Sequence, residues 1–233
     1  MISERKFSNT FSSFWKQLFP MGEHFVRKLN LACERKVPPI ESSMPVNRDK
    51  RAVINELAFR FFKEKAKKNK VGIKLINKLS NEVILYIENL SPFIPKIDQL
   101  TQEEVEESIA LSNSLSSFFY KTDLPSLKFW PSFKGCGNIH ACKADIFYKD
   151  TLIEVKAGAR HFRINDLRQV ITYLALNFAS HQYVINNIEL INPRTGLYFH
   201  APVKTIIEES SGMQPIDIFS DIVEFISNEI RSN

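Results

Sequence analysis

The sequence predicts an α/β protein whose mixed central sheet lies between helices, behind a mostly helical and basic N-terminal region. Three observations predict it. Apolar residues recur at helical spacing up to about residue 120, then alternate in short β-like runs. From Thr101 the order reads helix, three strands, helix, two strands, helix, which calls for helices packed on a sheet. At 233 residues the chain can bury one good core, with room for a smaller lobe.

The elements follow in order. The first forty residues are helical in tendency without a clear period, and residues 37–45 (Val-Pro-Pro-Ile-Glu-Ser-Ser-Met-Pro) read as a linker. Asp49 is the expected cap of a helix over 51–68, with Val53, Leu57 and Phe61 beside Ile54, Ala58 and Phe62 as its stripe. A second helix is expected over 73–90, closed by Ser91-Pro92-Phe93-Ile94-Pro95. Thr101-Gln102-Glu103-Glu104 has the form of a capping box opening a helix to about 120, with Leu111, Leu115 and Phe118 on its apolar face. Strands are expected over 127–133, 143–148 and 152–156, then an amphipathic helix over 165–178. Strands over 187–191 and 197–200 flank the turn Asn192-Pro193-Arg194-Thr195-Gly196. Pro215 opens a last helix with Ile216, Phe219, Ile222, Val223 and Ile226 on one face.

Composition excludes several classes. With only 7 Gly there is no GxGxxG or GxxxxGK[ST] loop, so neither a dinucleotide fold nor an ATPase is expected within the chain. No apolar run approaches the roughly 18 residues of a membrane span, and no secretory leader is read. Three cysteines cannot complete a disulfide framework, which makes a reducing cytoplasm the expected compartment. Charge is unevenly spread: residues 1–100 carry 19 Lys and Arg against 10 Asp and Glu, residues 101–233 carry 12 against 16. A basic half beside an acidic half suits phosphate gripping beside metal binding, and equally a solvated basic helix face. The basic run 63–70 includes Lys67 and Lys68 as candidate backbone contacts.

The chemistry concentrates in residues 143–156. If Lys149-Asp150 is a two-residue hairpin turn, Tyr148 faces Thr151, Ile146 faces Ile153 and Asp145 faces Glu154. Facing residues have Cβ atoms roughly 5 Å apart, and like charges there repel. The period of two puts Lys156 on the Glu154 face, with Ile153 and Val155 on the other. Two facing carboxylates with an ammonium one step along suit Mg²⁺ or Mn²⁺. The alternative is an edge hairpin with a solvated Asp and a surface Glu–Lys pair.

Flanking residues bear on that choice. Gln169 and Tyr173, four apart on the next helix, share a face and can fix a phosphate or a catalytic carboxylate, or stand as a boundary Gln and a core-edge Tyr. Glu104 and Glu107 fall on the stripe of the preceding helix, either as first-turn acids or as a further metal ligand, Glu107 being nearer the core. Arg160, His161 and Arg163 follow the Lys156 strand as phosphate contacts or as an exposed basic loop. Cys136, His140 and Cys142 lack a fourth zinc ligand and read as a structural loop.

Taken together, Gly135-Cys136-Gly137, Ala144-Asp145-Ile146, Ile153-Glu154-Val155-Lys156 and Gln169-x-x-x-Tyr173 resemble the PD-(D/E)XK nuclease superfamily, most of all its RecB-type branch. The resemblance covers roughly residues 101–200. It implies an αβββαβ restriction-endonuclease-like core that binds Mg²⁺ or Mn²⁺ and cleaves DNA phosphodiesters. Asp145 and Glu154 would be metal ligands, Lys156 the catalytic lysine, and Gln169 and Tyr173 the helix motif near the DNA. Ala144 stands where that pattern often has Pro, and region 1–100 matches no family. The expected activity is that of an endonuclease, as in a defence or mobile-element effector. Its rivals are a silent nuclease-fold DNA-binding or assembly module, and an exonuclease subunit working with a separate ATPase, helicase or sensor protein.

Overall fold

The computed structural model describes residues 1–40, 48–90 and 96–228. The linker expected over 37–45 therefore lies partly, and the segment 91–95 wholly, outside the described residues. Three helices open the chain: α1 (Glu4–Asn9), α2 (Ser12–Leu18) and α3 (Gly22–Ala32). The Ser3 side chain caps α1 by accepting from the Lys6 amide at 3.2 Å. A short strand β1 (Glu34–Arg35) follows, then α4 (Arg48–Ala66), α5 (Ile73–Glu88) and α6 (Gln102–Phe118). Thr101 and Glu104 complete the expected capping box of α6.

The remaining elements are β2 (Lys128–Phe129), β3 (Ser132–Phe133), β4 (Cys142–Lys143), β5 (Ile146–Tyr148), β6 (Thr151–Val155), α7 (Ile164–Ser180), β7 (Asn187–Asn192), β8 (Leu197–Pro202), α8 (Val203–Ser211) and α9 (Pro215–Asn228). Each of the first two expected strands is split. Trp130 takes φ 52° and Pro131 cannot donate to a ladder, so the chain leaves β2 and re-pairs as β3 with β4. Asp145 interrupts the second run between β4 and β5. In α9 the buried face carries Ile218, Phe219, Ile222 and Ile226, while Ile216 is exposed.

Six strands form a mixed sheet in the order β1-β8-β7-β6-β5-β2, in which only β6 and β7 are parallel. The β6–α7–β7 crossover makes that parallel pair, as parallel neighbours require. Asp150 fixes its register: its carbonyl accepts from the amides of Asn186 and Asn187, and its carboxylate from both their side chains.

Alternation along the strands sorts residues to two cores. Leu152, Ile188 and Leu190 face α7, which is wrapped by α1, α3, α8 and α9 and is buried at every residue from Asp166 to Leu176. Ile146, Ile153 and Ile191 face the other way, onto Phe59 and Phe62 of α4 and Leu115 of α6. Helix α5 packs outside α4 through Val83, Ile84 and Ile87. The break expected near residue 100 does not divide these cores: Phe7, Trp15, Phe25 and Leu29 lie in the same cluster as α7, and β1 is a strand of the main sheet. Among the described residues no helix is long and apolar enough to cross a membrane.

Candidate active site

The β5–β6 hairpin positions the acids. Its pairs are Tyr148 with Thr151, Phe147 with Leu152 and Ile146 with Ile153, the register read from the Lys149-Asp150 turn. Lys149 supplies that turn with a left-handed φ of 55°. One step beyond the last pair stand Asp145 and Glu154. Asp145 has left the ladder: its carbonyl accepts from the Trp130 amide at 2.9 Å, and its Oδ2 accepts from the Val155 amide at 2.7 Å. The side chain thus replaces a ladder bond and is drawn into the sheet beside Glu154.

Glu154 is 3% exposed. Its Oε1 accepts from Lys156 Nζ at 2.7 Å, while its Oε2 is buried with no hydrogen-bond partner. Leaving such an oxygen unmet inside a protein costs several kcal/mol, order of magnitude, unless something pairs with it. Burial, and then the neighbouring Glu154 charge, push the Asp145 carboxyl up to about 8.

Lys156 donates to Gln169 Oε1 at 2.7 Å and lies 3.8 Å from Asp166. Desolvation opposes its charge, but Glu154, Asp166 and Asp145 outweigh it and hold the ammonium above its ordinary value. Gln169 in turn donates to Tyr173 Oη at 2.8 Å, and Tyr173 donates to the Lys143 carbonyl at 3.3 Å. Tyr173 stacks on Phe133 at 5.4 Å and is 1% exposed. Gln169 and Tyr173 therefore stand behind Lys156 and aim it. Both are buried, so neither is presented at the surface where sequence placed the helix motif near DNA.

The other nominated residues are placed differently. Glu107 is paired with Arg194, which also donates to the Ala157 carbonyl and to Asn55. Its helix covers the opposite face of the sheet, so Glu107 is not brought to the Asp145–Glu154 pair. Arg160 forks onto Asp166 at 2.6 and 2.9 Å, and Arg163 is exposed at the start of α7. Lys67 pairs with Glu64 at 3.1 Å, whereas Lys68 and Lys70 are exposed and make no ion pair among the described residues. Cys136, His140 and Cys142 sit in a tight loop. A Cβ on Gly137 (φ 54°) would meet the Ile226 carbonyl at 2.4 Å, and the cysteines are free.

The structure adds two residues that sequence reading missed. Glu4 Oε1 lies 3.4 Å from Gln169 Nε2, and Arg5 Nε lies 3.8 Å from the same Glu4 oxygen. Both come from α1, about 150 residues away in the chain, and no local spacing links them to the hairpin. Among the described residues no three His, Cys, Asp or Glu side chains already converge as a complete ligand set. What is present is a buried pair of carboxylates, one with an orphaned oxygen, beside a single shared ammonium. A divalent cation fits that donor set, because it supplies the charge and the bond that Glu154 Oε2 lacks. No protein-family model, curated protein or solved structure matches this chain.

Proposed function

We propose that the protein is a Mg²⁺- or Mn²⁺-dependent DNA nuclease of the PD-(D/E)XK type that acts as an endonuclease. The observation that carries this reading is the unpaired buried Oε2 of Glu154 beside an Asp145 whose carboxyl is raised to about 8. A hairpin kept for stability alone has no use for that arrangement, since apolar residues of similar size would serve it better. The fold reading is supported by chain order: α6, then β2, β5 and β6, then α7, then β7 follow αβββαβ, with the β3–β4 hairpin as an insertion.

Asp145 and Glu154 would hold the ion, which when bound polarises a phosphate oxygen and lowers the pKa of an attacking water. The remaining steps belong to the chain. The Val155 amide fixes one oxygen of Asp145, so the carboxyl is held in place with its second oxygen not engaged by that bond. Lys156 stabilises negative charge as it develops on the phosphate, and Gln169 holds its ammonium in place for that moment. Tyr173 keeps Gln169 in register by its bond to the Lys143 carbonyl.

Incubation with closed circular plasmid in Mg²⁺ or Mn²⁺ tests the reading. Nicked or linear product is expected from the wild type, and none in EDTA. Asp145→Ala, Glu154→Ala and Lys156→Ala should each abolish cleavage while DNA binding persists. Cleavage in EDTA, or by the Glu154→Ala variant, overturns the mechanism. Degradation of linear DNA with intact circles would replace the endonuclease reading with an exonuclease one.

A further inference from the structure

The cations around the carboxylate pair differ in what already holds them. Lys156 is 15% exposed and shared between Glu154 and Gln169. Arg160 is committed to Asp166 through both terminal nitrogens and to the His161 carbonyl. Arg160 cannot reach an incoming anion without giving up Asp166, and Lys156 is already bonded to Glu154, so it serves the reacting phosphate from within the site rather than receiving it from solvent. Arg5 is the exception. Its side chain is 75% exposed, and its nearest acid is Glu4 at 3.8 Å, beyond hydrogen-bond distance.

Arg5 is nonetheless placed beside the site through its neighbour Glu4, which a chain of contacts joins to the carboxylates. Glu4 Oε1 meets Gln169 Nε2, and Gln169 Oε1 meets Lys156 Nζ, which is bonded to Glu154. Desolvation opposes its charge but is outweighed by Glu154, Tyr173, Glu4 and Asp145, so its pKa lies above the ordinary value. By geometry, its guanidinium stands 3.8 Å from the Glu4 oxygen that meets Gln169, on the exposed side of the network that ends at Glu154. The backbone that carries it is anchored by Phe7, buried in the main core two residues on, and by the Ser3 cap. A planar, permanently charged fork of this kind matches two oxygens of a phosphodiester.

We propose that Arg5 is the residue that receives the scissile phosphate of the DNA strand, donating to its non-bridging oxygens as the phosphate enters beside Asp145 and Glu154. This rests on the nuclease reading. It moves the phosphate contact from the loop after β6, where sequence placed it, to the first turn of α1. The competing role is that of a mere counter-ion, which screens the two carboxylates until a metal ion replaces it. The two roles differ in sign. A counter-ion competes with metal, so its removal would tighten Mg²⁺ binding and spare cleavage at saturating Mg²⁺. A phosphate contact leaves Mg²⁺ affinity little changed and is missed when the charge on phosphate grows.

The test compares wild type, Arg5→Ala and Arg5→Lys for plasmid cleavage at saturating Mg²⁺, for Mg²⁺ affinity, and for the salt dependence of DNA binding in EDTA. Because the side chain is exposed, all three should melt alike. Arg5→Ala is expected to lose about 10²–10³-fold in cleavage rate, with Arg5→Lys between the two because a point charge keeps part of the attraction. The slope of log K against log salt should flatten by roughly 0.9 for the one lost contact. Equal cleavage rates and an unchanged slope, with tighter Mg²⁺ binding, would overturn the proposal and leave the nuclease reading intact. An inert wild type whose slope still flattens in Arg5→Ala would overturn the nuclease reading, and the scissile-phosphate role with it, leaving Arg5 a contact to the DNA backbone only.

Discussion

Asp145, Glu154 and Lys156 bring two carboxyl groups and one ammonium into one small volume, and burying the two acids together has a measurable consequence. Asp145 is ordinarily ionised above 3.8, yet in the folded chain its carboxyl is raised to about 8. The fold then binds this proton more tightly than the unfolded chain does. Its stabilising contribution is full below 3.8, declines as pH rises, and is gone above about 8. Asp166 has the opposite sign. Although burial opposes its charge, Arg160 and Lys156 hold its carboxyl below the ordinary value, so its contribution is constant at neutral pH and lost only in acid. In EDTA, therefore, the melting temperature should fall steadily from pH 5 to 8 and level off above. Asp145→Asn should flatten that profile, and a flat wild-type profile would contradict the raised carboxyl. This pairing was legible in the sequence because a two-residue turn fixes register by counting. Glu4 and Arg5 were not, because a contact between α1 and α7 leaves no local trace in residue spacing.

At the scale of elements, the sequence showed most clearly what depends on neighbours within one helix or hairpin. The capping box at Thr101, the β6 strand, the long α7 and the β7–β8 turn all have local causes. In that turn Asn192 Oδ1 accepts from the Arg194 and Thr195 amides, and Gly196 takes φ 74°. What failed were elements set by tertiary contact. The single strand expected over 127–133 bends at Trp130 because its second half finds β4, and the Glu34–Arg35 strand exists only because β8 has a free edge beside it. Gly196 makes that last contact possible. A Cβ there would stand 1.9 Å from the Val37 carbonyl, on a backbone that L residues rarely adopt. Gly196→Ala should cost more than about 1 kcal/mol, read as a lower urea midpoint. Stability equal to wild type would mean that β1 is not seated on β8.

For the whole molecule, charge and core do not divide at the same place. The excess of basic residues before residue 100 suggested a region that grips DNA or a partner, and its helices α1 to α3 also supply Phe7, Trp15, Phe25 and Leu29 to the core around α7. They also bring Glu4 and Arg5 to the site. A fragment of residues 101–233 should therefore lack cooperative unfolding, rather than fold and merely bind DNA less well. A sharp thermal transition in that fragment would restore the boundary at residue 100.

The basic end of α4 allows a narrower test of whether this half of the chain follows the nucleic-acid backbone. Its lysines are not equivalent. Lys63 lies 3.8 Å from the centre of the Trp130 ring, Lys65 donates to Asn113 at 2.6 Å, and Lys67 pairs with Glu64. Only Lys68 and Lys70 stand exposed without an ion pair among the described residues, the first on a left-handed backbone with φ 63°. Phosphate contacts set affinity without reading sequence. Replacing Lys68 and Lys70 by Gln should therefore weaken binding equally on unrelated duplexes. The slope of log K against log salt should flatten by about 1.8 if each meets one phosphate. Replacing Lys65 instead should loosen the packing of α4 on α6, lowering the melting temperature with little change in that slope. If the double replacement leaves the slope unchanged while DNA is still cut, the cluster faces solvent and DNA is held by the α1 side of the sheet.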